Sequence, residues 1–410
     1  MGSVHDSGVR AGRRPATRPG TASRPETVCA RPALPGPTRA VAVPATAPPL
    51  RIGLLAPPWL PVPPPAYGGI ESAVDLLARG LAAAGHDVVL FAAAESTCPV
   101  ARRSAGPAAP RALLGMGALE LATVVAGYET LGDCDVVHDH TLLGPLVASL
   151  RSGGPPSVVT AHGLLDGHDA AMFRTVSGRV PVIAISHRQA RRSPVPVSAV
   201  IHHAVDTDRI QPGPGDGGYV AFLGRMAPEK GVARAVRLAR RAGVPLRIAA
   251  KMSEPGEFAY FESAVRPLLG GDVEYVGELG RDESSELLRG AAALLNPIAW
   301  EEPFGLVMIE ALAAGTPVLT SPVGAAPEIV RDGVTGRLCD DDDAFVAALG
   351  DLGSIERHRC RVDALLRFSP QRLVREHLDL YRRVLVGRAG PLPLPGTGSL
   401  PGPGRRPAAG

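Results

Sequence analysis

A chain of 410 residues that is 45% apolar, 4% aromatic and 20% charged, with a formal net charge of +3, has enough hydrocarbon for two α/β cores and too much charge for an integral membrane protein. No run of eighteen apolar residues occurs, and the N-terminus lacks the apolar segment of a secretory signal, so a cytoplasmic location is expected. Five scattered cysteines, Cys29, Cys98, Cys134, Cys339 and Cys360, have no metal-type spacing and read as reduced, mostly packed thiols.

The basic charge sits in the tails: seven arginines oppose Asp6 and Glu26 in the first fifty residues, and Arg388, Arg405 and Arg406 stand unopposed at the other end. The acidic remainder disfavours nucleic acid as a partner. Only Lys230 and Lys251 among the 43 basic residues are lysines. Because a site shaped for a compact ammonium rejects a planar guanidinium, both are candidates for a ligand site; the alternative is accidental survival in an arginine-rich chain.

In chain order, residues 1–49 are rich in Pro, Gly, Ala and Arg without hydrophobic period and are expected to be a disordered tail. Strand RIGLLA (51–56) opens the first domain, followed by a Pro-rich loop, a helix from Gly69 to Ala84, and strand DVVLFAAA (87–94). CDVVHDH, SVVTAHG and VPVIAIS then read as short buried strands ending in polar residues. Such repetition predicts parallel βαβ units, which bind ligands outside the strand carboxyl ends. After the turn-rich QPGPGDGG, a second set runs through YVAFLGR (219–225), PLRIAAK, DVEYVGEL, AALLNPIAW and TPVLTSP.

The fold class expected is therefore α/β, two Rossmann-like doubly wound domains facing a cleft, over 50–210 and 211–370. A helix at 371–387 is expected to return toward the first domain, and 388–410 forms a second disordered tail. Neither GxGxxG after the first strand nor GxxxxGK[ST] is present, so a phosphate must be held in some other way.

One such way is the helix GLVMIEALAAG, which opens at Gly305 behind the loop WEEPF. The amides of Phe304, Gly305, Leu306 and Val307 stand at a helix start, where unpaired N–H groups and the positive dipole end favour an anion. Glu310 lies about five residues, or roughly 7.5 Å, along that helix, and suits the hydroxyls of a ribose; Glu302 faces the same space from the loop. Capping and surface charge are the plain alternative. In GRMAPEKG, Arg225 ends a strand and Lys230 precedes a helix, where a cation opposes the macrodipole unless an anion is bound.

In AYGGIE, Gly68 and Gly69 open another helix with Glu71 one turn in, and glycine lets backbone approach a ligand; a plain helix-entry turn is equally compatible. His162 ends one strand, and His138, Asp139 and His140 end another. They face the expected cleft, but no third spaced ligand points to a metal.

Together GRMAPEKG, EEPFGLVMIEALAAGTPV, GAAPEIV and GGIE resemble the family 4 retaining glycosyltransferases of the GT-B fold, and Glu302 with Glu310 matches the E-x7-E signature of that family. The resemblance spans about 51–388. It implies that Arg225 and Lys230 hold the donor diphosphate, with Gly69 and the Phe304–Val307 amides beside it and Gly68 and Lys251 also on the donor side. It further implies that Glu310 holds the ribose, that Glu302 and His162 touch the donor sugar, and that Asp139 and His140 lie on the acceptor side. Glu302, His162, Arg225 and Lys230 would carry the chemistry.

The resemblance also implies transfer of a hexosyl unit from a nucleotide-diphosphate sugar, with retention, without metal or cofactor. The acceptor is left open, with peripheral membrane contact if it is a lipid. An isomerase or phosphorylase on this scaffold, or a non-catalytic sugar-nucleotide binding protein, are the other readings. His203-Ala204 before Val205-Asp206, and Ala250 before Lys251, depart from the common Asn-Gly and Gly of the family.

Overall fold

The computed structural model describes residues 48–387. Both tail expectations lie outside that span, apart from Pro48 and Pro49. Strands β1 (Arg51–Leu55), β2 (Asp87–Phe91), β3 (Ala101–Arg103), β4 (Val136–Asp139), β5 (Ser157–Ala161), β6 (Val182–Ala184) and β7 (Ala199–Val200) form one parallel sheet in the order β3-β2-β1-β4-β5-β6-β7. The second sheet joins β8 (Val220–Arg225), β9 (Leu246–Lys251), β10 (Val273–Gly277), β11 (Leu294–Asn296), β12 (Val318–Thr320) and β13 (Gly336–Leu338) in the order β10-β9-β8-β11-β12-β13.

The chain is thus two doubly wound Rossmann-like domains. Their strands are near-continuous apolar runs, such as Leu54–Leu55 and Leu294–Leu295, all fully buried, because helices cover both faces of a parallel sheet. Strand order reverses between β1 and β4 and between β8 and β11, which places a crevice at the carboxyl edge of each sheet.

Several strands are shorter than the sequence suggests. Strand β2 stops at Phe91 rather than residue 94. AALLNPIAW contributes only Leu294–Asn296, since Pro297 cannot donate to the ladder, and TPVLTSP is trimmed by Pro317 and Pro322 to Val318–Thr320. Strand β3 is exposed at all three residues, so no hydrophobic pattern announced it.

The helix Pro370–Leu385 opens with proline, whose missing N–H costs nothing at a helix start. It packs on the first domain: Leu373, Val374, Leu378, Leu380 and Tyr381 share a core cluster with Ile52, Leu77 and Leu81. A Cβ on Gly80 would lie 2.5 Å from Val374 Cγ2, so the helix Gly69–Ala83 and this one approach as closely as glycine permits.

Candidate functional site

The two carboxyl edges enclose a cavity of about 540 Å³. Its second-domain wall starts at the end of β8 and β9, where Arg225 pairs in register with Lys251. Between these cations stands Glu257, 4% exposed, with Oε1 3.7 Å from Arg225 Nη1 and 3.6 Å from Lys251 Nζ. Its Oε2 accepts the backbone N–H groups of Ser253 and Glu254, at 2.7 and 3.2 Å, as a capping box for the helix Pro255–Tyr260. Arg225 also bonds Glu229 at 2.5 Å. Its side chain is therefore drawn to two carboxylates, and its neighbour Gly224, together with Lys251, forms the cavity wall there.

Lys230 lines the cavity and ion-pairs with Glu302. Trp300 Nε1 donates to the same Glu302 oxygen at 2.9 Å, and Lys230 Nζ sits 5.0 Å from the Trp300 ring centroid. Gly305 has φ of 109°, and a Cβ there would strike Met308 Cε. This turn frees the amides of Leu306 and Val307 at the start of the helix Leu306–Ala313. One turn on, Glu310 lines the cavity; burial raises its carboxyl pKa and Arg281 opposes the shift.

From the first domain, a Cβ on Gly69 would lie 3.2 Å from Leu306 Cδ1, so two helix starts meet face to face across the cleft. Arg281, at the start of the second-domain helix Arg281–Gly290, reaches across the cleft and donates to Ser72 Oγ at 2.9 Å. The structure thus gathers Gly68, Gly69, Lys230, Lys251, Glu302, Phe304–Val307 and Glu310 on one cavity. Two positive dipole ends, helix-start amides and two ammonium groups in one crevice are an arrangement that can hold an anion.

His162 lines the same cavity. Its Nε2 bonds His140 Nδ1 at 2.9 Å, and the His203 ring stacks on it at 5.3 Å. His140 is 4% exposed and reaches the cleft only through His162. Behind it, His138 bonds Tyr381 Oη and Thr160 Oγ1, both at 2.7 Å. Burial holds His138, His140, His162 and His203 well below the usual imidazole range, so they are neutral near pH 7.

Asp139 is placed differently from its acceptor-side expectation: it is fully buried and does not line the cavity. Its Oδ1 accepts the backbone N–H and hydroxyl of Thr141, each at 2.7 Å, and a Cβ on Gly144 would collide with its carboxylate. Asp139 shapes the turn after β4. His138 spends both ring nitrogens on protein partners, whereas Asp139 Oδ2 and His140 Nε2 are buried without a hydrogen-bond partner; the three side chains do not converge as metal ligands.

Sequence comparison fits this geometry. Residues 67–209 match the family model "Glycosyltransferase Family 4", and 206–363 match "Glycosyl transferases group 1". A phosphatidyl-myo-inositol mannosyltransferase of Mycobacterium leprae (strain TN) is 30% identical over 74% of this chain and 86% of its own length. The chain belongs to the family 4 glycosyltransferases.

This glycosyltransferase also resembles AviGT4, a glycosyltransferase involved in avilamycin A biosynthesis, at 25% identity and a TM-score of 0.61, over 83% of this chain and 99% of that one. Anabaena HepE, solved in complex with UDP-glucose, shares the fold at 17% identity and a TM-score of 0.64, over 82% and 100% of the chains. Glu257, Arg281, Trp300 and His203 are cavity or supporting residues that sequence reasoning passed over. The Glu254-Pro255-x-Glu257 capping pattern was the one legible signal among them. No helix among the described residues is long and apolar enough to cross a membrane.

Proposed function

We propose that this glycosyltransferase moves a hexosyl unit from a nucleotide-diphosphate sugar with retention of configuration and without a metal ion or cofactor. The observation that carries the reading is the meeting of the Gly69 and Leu306 helix starts over Lys230 in one cavity. There the diphosphate takes the place of Glu302 beside Lys230, and the freed Glu302 accepts a hydroxyl of the donor sugar. Glu310 holds the ribose. His162, neutral and held by His140, donates or accepts at the sugar near its anomeric carbon.

The bond from that carbon to the β-phosphate oxygen breaks, and the acceptor oxygen bonds to the carbon on the same face. The acceptor proton passes to the departing phosphate, so no protein nucleophile is needed. Lys230, Lys251 and the helix amides stabilise the charge that grows on the diphosphate, the task a divalent ion performs elsewhere. The UDP-glucose bound by HepE supports a donor of this class.

The name of the M. leprae relative supports an acceptor with a free ring hydroxyl, of which myo-inositol and phosphatidyl-myo-inositol are the first to try; a lipid acceptor brings peripheral membrane contact. Free, buried cysteines are consistent with a reducing cytoplasmic setting. Thermal denaturation with UDP, GDP and ADP in EDTA tests the anion site, and a rise in Tm with at least one is expected. Indifference to all three overturns the reading, and an inverted product anomer overturns retention.

A further inference from the structure

The domains also meet at the helix His187–Arg192, which belongs to the first domain. Two of its neighbouring side chains point to opposite sides of the cleft. Gln189, 2% exposed, donates through Nε2 to the carbonyls of Ala161 at 2.8 Å and Gly163 at 2.5 Å, the residues on either side of His162. Its Oε1 accepts the N–H of Ile185 at 2.7 Å, so the amide is fixed at both ends. Arg188 reaches the other way and forks onto Glu301, with Nε to Oε2 at 2.8 Å and Nη2 to Oε1 at 2.7 Å.

Glu301 is the residue before Glu302, whose carbonyl accepts the N–H of Ala325 at 3.0 Å and against whose backbone Gly324 has no room for a Cβ. The same second-domain segment supplies Glu328, which accepts the backbone N–H groups of His187 at 2.8 Å and Arg188 at 2.5 Å and bonds His202 Nε2 at 3.0 Å. Burial pushes the Glu328 carboxyl pKa up, but these bonds prevail and lower it. The hydrogen bond from Arg188 likewise lowers that of Glu301. One short helix is therefore tied to the backbone around His162 on one side and to the backbone around Glu302 on the other.

We propose that Arg188 and Gln189 are positioning residues that set the spacing between His162 and Glu302 across the cleft, coupling the approach of the domains to the assembly of the sugar site. The inference rests on the transferase reading for what the spacing serves, but the mechanical coupling stands apart from it. Arg188 and Glu301 are only part-buried, 40% and 31% exposed, and an exposed ion pair adds little to stability. Its bidentate geometry, in contrast, fixes direction.

The test joins two readouts. Spin labels at Glu129→Cys and Glu262→Cys, exposed positions in the first and second domains, report the interdomain distance distribution by double electron–electron resonance. In the full chain Arg188→Ala is expected to broaden and lengthen it, and the swap Arg188→Glu with Glu301→Arg to restore it. In the unlabelled protein, UDP or GDP, whichever the wild type binds, should bind Arg188→Ala within about threefold of wild type. Donor turnover should fall about 10- to 100-fold, as small misplacements do, with KM nearly unchanged, and should recover in the swap.

Gln189→Ala should lower turnover in the same way without changing nucleotide affinity. A wild-type distance distribution in Arg188→Ala overturns the proposal whatever the enzyme transfers, and so does a swap that restores neither readout. A wild type that binds no nucleotide overturns the transferase reading instead and leaves the distance measurement standing.

Discussion

Lys230 reaches from the turn after β8 to the carboxylate of Glu302, and Trp300 covers the pair with its indole N–H on the same oxygen. At side-chain exposures of 14% and 16%, neither group can turn freely to water, so without ligand each serves as the partner of the other. On the proposed reading, a bound diphosphate would compete with Glu302 for Lys230, and a sugar hydroxyl would compensate Glu302. On that reading the pair holds together the two charges that a bound donor would separate.

Lys230→Ala should therefore lower kcat/KM by about 10²- to 10³-fold, or about 2.7–4 kcal/mol, the cost of losing one preorganised donor to developing charge. Lys230→Arg should recover little, because a planar guanidinium is not interchangeable with a compact ammonium at a site shaped for one. Steady-state kinetics decide: a loss below about tenfold for the alanine variant removes Lys230 from the chemistry.

Glu310 gives the opposite signature. It stands one turn inside the helix Leu306–Ala313, where Arg281 is the cation that opposes the upward shift of its carboxyl. Contacts to a ribose are equal in ground and transition states, so Glu310→Ala should raise donor KM about tenfold or more while kcat changes little. A kcat effect larger than the KM effect would reassign this carboxylate to the reacting end.

Much of this architecture is legible in the residues themselves. Runs such as Leu54–Leu55 and Leu294–Leu295 announce parallel strands because only strands buried on both faces can be so uniformly apolar. The spacing of Glu302 and Glu310, and the glycines at 69 and 305, mark helix starts at a sheet edge. What stayed hidden depends on partners far away in sequence. Nothing local says that Arg188 will meet Glu301, that Arg281 will reach Ser72, or that Arg225 will turn to Glu257. Asp139 misled for a local reason: its strand-end position suggests the cleft, but the turn through Thr141 and Gly144 folds back over its carboxylate.

Glu71 is an expected liability for stability. It lines the cavity at 4% exposure, and burial raises its carboxyl pKa to about 7, opposed only by a hydrogen bond from its own backbone. Because the folded pKa lies above the unfolded one, its stabilising contribution is complete below about pH 4.5 and is lost as pH rises through 7. Glu71→Gln should therefore stabilise the protein at pH 8 by up to about 3 kcal/mol and hardly at all at pH 4.5. Urea unfolding at the two pH values checks it, and equal effects at both would show that the carboxyl is not desolvated.

The histidine column behaves with the reverse sign. His138, His140, His162, His203 and His377 lie ring to ring from the cavity to the C-terminal helix, with His138 and His140 centroids 4.0 Å apart and His138 and His377 5.2 Å apart. Burial is the largest cause of every shift, and it takes His377 to about 4. The unfolded chain binds protons that the folded one refuses, so stability is complete above about pH 6.5 and falls as pH drops toward 4, by about 3 kcal/mol for His377 alone.

Tyr381→Phe separates this titration from simple packing. It keeps the ring but leaves His138 Nδ1 without its 2.7 Å partner, at a cost of about 1–3 kcal/mol near neutral pH. The C-terminal helix should then separate from the first domain more readily in mild acid, read as earlier hydrogen exchange across Pro370–Leu385. Stability that is flat between pH 7 and 5, or a Tyr381→Phe protein as stable as wild type, would mean that water reaches the column and that burial is not what keeps these imidazoles neutral.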